Sequence, residues 1–230
     1  MSFKLIDELR ELDTKGILLL TIAAVAAIAL IAVLLSFRAR RKKEEAPFKE
    51  AQADVKGKKT NVRALVYGAL CLSLSFVLSY FKLFELPMGG SVTLLSMLPL
   101  AAYAAAFGPA YGFTAAFAYS LLQVVQGAYV VHWAQFLLDY ILAFTCFGFA
   151  SLFPRNLPLG IIVSGFGRFV CSVLSGVIFF SSYAADAGFQ SAWLYSIAYN
   201  GSSLGVDALL CVIVALLPPV RKMLDRMKTA

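Results

Sequence analysis

The chain has 230 residues, 60% of them hydrophobic and only 14% charged, with a formal net charge of +7 and a mean hydropathy of +0.80. A soluble domain carries about 25% charged residues, so this composition excludes an ordinary soluble protein and points to a polytopic membrane protein. The positive balance does not argue for nucleic acid. Residues 1–60 hold 12 of the 20 basic residues, and the others include a C-terminal cluster, positions where positive charge fixes topology.

In chain order, the first apolar run covers residues 16–37. It is longer than the roughly 7–15 residues of a signal-peptide core and ends in "RARRKK". About 20 residues span a bilayer, so this run reads as a retained anchor helix. The mixed-charge segment that follows, to residue 60, reads as a cytoplasmic tether. Six further spans are expected at 63–84, 90–107, 110–130, 132–153, 158–181 and 193–217. They are separated by "ELPMGG", "FGPAYG", "FPRNLP" and "YAADAGFQ", each containing Gly, Pro or charge; no strong breaker marks the 130/132 junction. The domains are thus an anchor with tether (1–60) and a six-helix membrane domain (61–230). The basic block 38–43 is placed inside by the positive-inside rule. Alternation then puts the extreme N-terminus outside, the six-helix domain's two termini in the cytoplasm, and His132 and Asp186 outside.

The four cysteines lie in apolar runs without metal or redox spacing and read as buried, inert thiols. No Walker-type loop is present, so the chain is not expected to hydrolyse ATP. No nucleophile–base, metal or paired-carboxylate spacing argues for an enzyme, and no cofactor is implied.

Three ionisable residues fall within spans: Asp139, Arg168 and Asp207. A charge in the bilayer is costly and must face a cavity, the bundle interior or a partner. Arg168 and Asp207 fit either a ligand site or an internal ion pair. Asp139 lies about 10 Å below His132 at 1.5 Å per residue, within reach of an outward-facing pocket. His132, Gln135 and Asp139 share one helical face, as do Ser196, Asn200, Ser203 and Asp207. Lipid gives polar groups no partner, so both faces turn inward. A carboxylate near Phe179, Phe180 and Tyr183 suits a cationic, partly aromatic ligand. With Arg168 read as lying toward the inner side, the outer pocket has no cation for a purely anionic ligand.

The stretches "LPMGGSVTLLSMLPL", "FGPAYGFTAAFAYSLLQ", "GAYVVHWAQFLLDY", "RFVCSVLSGVIFFSSYA" and "YSIAYNGSS" follow one another in an order that resembles the thiamine-specific substrate-binding component of energy-coupling-factor transporters. The resemblance covers residues 61–220. It implies an all-α, six-helix membrane bundle, here preceded by one extra N-terminal helix, in a bacterial plasma membrane. It implies thiamine as ligand, bound near the outer surface under "KLFELPMGGS". As site residues it implies Asp139 (where Glu is more familiar), Tyr140, Tyr129, Tyr195, Asn200 and the stacking aromatic Phe180. Ser172 stands where a better-known member has histidine. It also implies a small-residue coupling surface, matched by Ala69, Ser73 and Gly68, and as partners a transmembrane coupling protein and two ATPase subunits. Two alternatives stay open: a substrate-binding component for another vitamin or a pyrimidine precursor, and an autonomous ion-coupled transporter using Asp139, Arg168 and Asp207.

Overall fold

The computed structural model describes residues 62–86 and 90–229. The expected anchor helix and tether lie outside the described residues. The elements in chain order are α1 (Val62–Tyr80), β1 (Lys82–Glu85), β2 (Ser91–Thr93), α2 (Met97–Phe107), α3 (Pro109–Val125), α4 (Trp133–Leu152) and α5 (Leu157–Phe179). A short α6 (Ser182–Asp186) leads to α7, which runs as α-helix over Ala192–Asn200 and Val206–Leu216 with a π turn at Gly201–Gly205 between them. Amphipathic α8 (Pro218–Thr229) ends the chain. Among the described residues four helices, α1, α4, α5 and α7, are long and apolar enough to cross a membrane. The all-α membrane class stands, with a two-stranded hairpin added to it.

Helix α2 is the centre of the bundle. Its sequence "MLPLAAYAAAF" buries every residue from Met97 to Ala105. Helices in lipid gain little from apolar burial as such and associate through close packing of small residues. The alanines of α2 permit that approach, and α1, α3, α4, α5, α7 and α8 all pack on it. Gly108, at φ 88°, turns the chain directly from α2 into α3, with Pro109 pre-set at the first helical position. At the crossing, Gly112 is so close to Ala104 that a Cβ there would lie 2.8 Å from the Ala104 Cβ and 3.1 Å from its Cα.

The expected spans 63–84 and 90–107 lose their facing ends to the hairpin. Lys82–Glu85 pairs antiparallel with Ser91–Thr93, and Lys82 forms an ion pair with Glu85 at 2.9 Å. As a result α2 has 11 residues rather than a full span. The expected span 110–130 stops at Val125, because Gly127 takes φ 123° and Gln126–Val131 becomes a loop. At the other end of the molecule α8 packs Leu224 and Met227 against the bundle. The Arg63 guanidinium donates to the carbonyls of Arg226 and Met227 (3.2 and 2.8 Å), which satisfies part of that helix's C-terminus. Cys146, Cys171 and Cys211 are buried and Cys71 half-buried, all as free thiols.

One buried charge ties the hairpin to the last helix. Asp207 is 1% exposed and accepts a hydrogen bond from Thr93 Oγ1 at 3.1 Å. Thr93 Oγ1 also meets Ser96 Oγ at 2.7 Å, just before α2. Between them Leu95 takes φ 61°, a strained backbone for a branched residue that persists only where its surroundings hold it.

Three substitutions test this packing. Gly112→Ala forces α2 and α3 apart and is expected to cost about 1–3 kcal/mol, the scale of overpacking. Gly205→Ala, with nothing within 4 Å of its new Cβ, should leave stability level or raise it by about 0.5–1 kcal/mol. Unfolding midpoints of both variants in detergent distinguish the two cases; equal losses would mean that the α2–α3 crossing is not tight. Thr93→Val keeps the shape but strips a donor from buried Asp207. It should cost about 1–3 kcal/mol in the same assay.

Candidate functional site

A cavity of about 200 Å³ opens between the hairpin and helices α1, α3, α4, α5 and α7. All seven residues singled out as ligand contacts line it: Tyr129, Asp139, Tyr140, Ser172, Phe180, Tyr195 and Asn200. They come from the loop before α4, from α4, from α5 and its C-cap, and from α7. Sequence distance hides this grouping; the bundle creates it.

The α4 wall is built on a π turn, Leu137–Leu142, which carries Asp139 and Tyr140. Such turns widen the helix and re-aim side chains. Gln135, 2% exposed, organises this wall. Its Nε2 donates to Tyr129 O (3.1 Å) and to Asp139 Oδ2 (2.8 Å), while its Oε1 accepts from Val131 N (3.2 Å). Ser175 Oγ on α5 donates to the same Asp139 Oδ2 at 2.7 Å. Asp139 Oδ1 is left without a hydrogen-bond partner among the described residues. The carboxylate is therefore held on one oxygen and open on the other. The backbone N–H of Tyr129 donates to Tyr140 Oη at 2.8 Å, which pins the preceding loop to α4.

The α5–α7 wall is equally ordered. Ser196 Oγ donates to Val173 O at 2.9 Å, and Asn200 Nδ2 donates to Ser196 O at 3.0 Å and Ser172 O at 3.3 Å. Asn200 ends the α-helical part of α7 just before its π turn. The expected polar face holds: Ser196, Asn200, Ser203 and Asp207 are all buried. Around the mouth, Phe180 lies 6.2 Å from the Tyr129 ring and 6.1 Å from Tyr183, and Tyr195 lies 5.9 Å from Tyr199. Gly90 of the hairpin donates its N–H to Tyr199 Oη at 2.9 Å, which draws the α1–α2 connection over the site.

Arg168 departs from its expected place. It lines the same cavity as Asp139 instead of lying apart on the inner side, and Lys82 lines it too. The cavity therefore does contain cations. The alternative of an internal ion pair is not realised at contact distance: among the described residues the one ion pair within 4 Å is Lys82–Glu85. The Arg168 guanidinium instead stacks 4.3 Å above the Phe144 ring and 5.6 Å from Phe147, and its Nε has no hydrogen-bond partner. His132 stays out of the cavity lining. Its Nδ1 caps α4 by accepting from Ala134 N at 3.1 Å, and its ring stacks on Phe179 at 5.2 Å.

Sequence reasoning missed the α1–α3 wall. Ser79, Gln123 and Gln126 line the cavity and form a hydrogen-bonded cluster. The signal was the one that exposed Asp139, polar side chains inside an apolar run, here at i and i+3. Of the three coupling-surface candidates, Ala69 and Ser73 are exposed on α1 beside Leu65, Val66, Leu70, Leu74 and Val77. Gly68 turns the other way: a Cβ there would lie 2.8 Å from Tyr103 Oη, so it serves the α1–α2 crossing.

The thiamine transporter protein model (Thia_YuaJ) matches residues 65–225. Thiamine transporter ThiT of Bacillus subtilis (strain 168) is 28% identical over 147 residues, which cover 56% of this chain and 75% of that protein. A solved structure of ThiT from Listeria monocytogenes superposes with a TM-score of 0.61 at 24% identity, covering 75% of this chain and 97% of that one, and so shares the fold. With well over half of its length matched, the chain belongs to the thiamine transporter protein family.

Proposed function

We propose that this chain is the thiamine-binding membrane subunit of an energy-coupling-factor vitamin importer. It captures thiamine from the outer face and releases it inward with the help of a separate transmembrane coupling protein and two ATPase subunits. The observation that carries this reading is the half-satisfied Asp139 carboxylate, open on Oδ1, in a cavity rimmed by Tyr129, Phe180 and Tyr195. Thiamine joins a thiazolium cation to an aminopyrimidine. Aromatic faces attract the cation, and a carboxylate gives charge-assisted hydrogen bonds to the amine-bearing ring. Tyr140, Asn200 and Ser172 complete the contact set. Kinship with the family supports the ligand.

In this reading the chain supplies recognition, and ATP hydrolysis belongs to the partners. The exposed α1 stripe around Ala69 and Ser73 is the docking face for the coupling protein, since small residues let helix backbones approach closely in lipid. In this reading the six-helix domain keeps both termini in the cytoplasm.

Titration of the purified chain with thiamine, followed by tryptophan fluorescence and calorimetry, should show saturable one-site binding. Absence of binding by a folded protein would overturn the reading. Asp139→Asn should weaken thiamine binding by about 2–4 kcal/mol, the scale for truncating one member of a buried charged pair; unchanged affinity would remove Asp139 from the site. Ala69→Trp should abolish ATP-driven uptake in vesicles containing the partners while leaving thiamine affinity as it was. Retained uptake would place the docking face elsewhere.

A further inference from the structure

The cavity has a third polar wall, remote in sequence from Asp139, that the contact set above does not use. Ser79 at the C-terminal end of α1, Gln123 near the end of α3 and its C-cap Gln126 meet there. Ser79 Oγ lies 2.6 Å from Phe76 O, 3.0 Å from Gln126 Oε1 and 3.0 Å from Gln123 Nε2.

Proton counting decides what this wall offers. A serine hydroxyl has one proton to give and two lone pairs to receive with. The short contact to Phe76 O takes the proton. Gln123 Nε2 fills one lone pair. Gln126 then faces an oxygen with no proton left for it, and two oxygens at 3.0 Å repel. A half-turn of the Gln126 amide resolves this, because nitrogen and oxygen exchange places at no cost in shape. Nε2 then fills the second lone pair of Ser79, and Oε1 turns away from it. Gln123 Oε1 likewise has no partner among the described residues. With the Gln126 amide so turned, the wall carries two amide oxygens, anchored through their nitrogens to a buried serine and without a donor.

We infer that the Ser79–Gln123–Gln126 cluster is a specificity element that receives an uncharged hydrogen-bond donor of the ligand. Resting on the thiamine reading, that donor is the primary alcohol of the thiazolium arm or the exocyclic amine of the pyrimidine. Amide oxygens are the fitting acceptors for either, because they accept without adding charge opposite Asp139. A site built around such acceptors rejects a ligand lacking the donor, since its own polar groups are then left unpaired.

The test is a cycle between protein and ligand in detergent-purified full-length chain. Wild type, Gln123→Leu/Gln126→Leu and the single variant Gln126→Leu are titrated with three ligands. These are thiamine, the analogue with ethyl in place of the hydroxyethyl arm, and the analogue with oxo in place of the pyrimidine amine. Thiamine affinity should fall about tenfold in the double variant and by less in the single one, with unfolding midpoints and the affinity of one analogue unchanged. Insensitivity of the ethyl analogue identifies the alcohol as the donor; insensitivity of the oxo analogue identifies the amine. Equal losses for all three ligands, or no loss for thiamine, overturn the inference while the thiamine reading stands. Failure of wild type to bind any of the three overturns that reading, and this inference with it. Should the double variant fail to fold, Gln126→Leu alone decides by the same pattern.

Discussion

A hydrocarbon layer offers a polar side chain no partner, and this constraint organises the molecule. Buried polar groups in the described helices find partners within the protein or face a cavity, with the hydroxyl of Ser75 on α1 an exception. The consequences run from Asp207, held by Thr93, through Ser196 and Asn200, bonded across α5 and α7, to Asp139, held by Gln135 and Ser175. Where the protein supplies every partner, the result is a clasp. Where it supplies only some and the group faces the cavity, as at Asp139, bonded on Oδ2 alone, and Arg168 Nε, the result is a site with capacity for a ligand.

The same constraint explains why the central helix is so short and so plain. Helix α2 presents almost nothing but small and apolar side chains, and six other helices close around it. The residues that would have lengthened it form the hairpin instead, which is drawn over the cavity by the Gly90–Tyr199 hydrogen bond and anchored beneath by Thr93 on Asp207. A full-length span would have left no strand to close that side of the site. The strained Leu95 marks the point where the chain changes from strand to helix under these two restraints.

Irregular helix geometry also contributes. Two of the helices that supply the polar walls, α4 and α7, carry a π turn, at Leu137–Leu142 and Gly201–Gly205. Each lies at or beside a residue of the proposed contact set, Asp139 and Tyr140 in one case and Asn200 in the other. A π turn adds a residue to the helical circuit, so side chains beyond it change face. Regular α-helical phase from residue to residue therefore describes these walls only locally.

The seven residues that line one cavity came from a family resemblance; the sequence by itself determined the membrane class, the order of helices and the inward placement of Asp139, Asn200 and Asp207. It could do so because the cost of polar groups in lipid is large and local, legible from single residues in apolar runs. Only the tertiary structure decided what those groups meet. Arg168 and Asp207 are each an isolated charge in sequence; packing sends one over the Phe144 ring and into the cavity and the other to Thr93. Gln123 and Gln126 are ordinary polar residues in sequence, and become a cavity wall because the α2–α3 turn lays α3 beside Ser79. Gly68 and Ala69 are neighbours in sequence, yet one packs on Tyr103 and the other is exposed. Depth in the membrane is a property of one residue, whereas partnership depends on how helices cross, and the crossings are set by packing between segments distant in the chain.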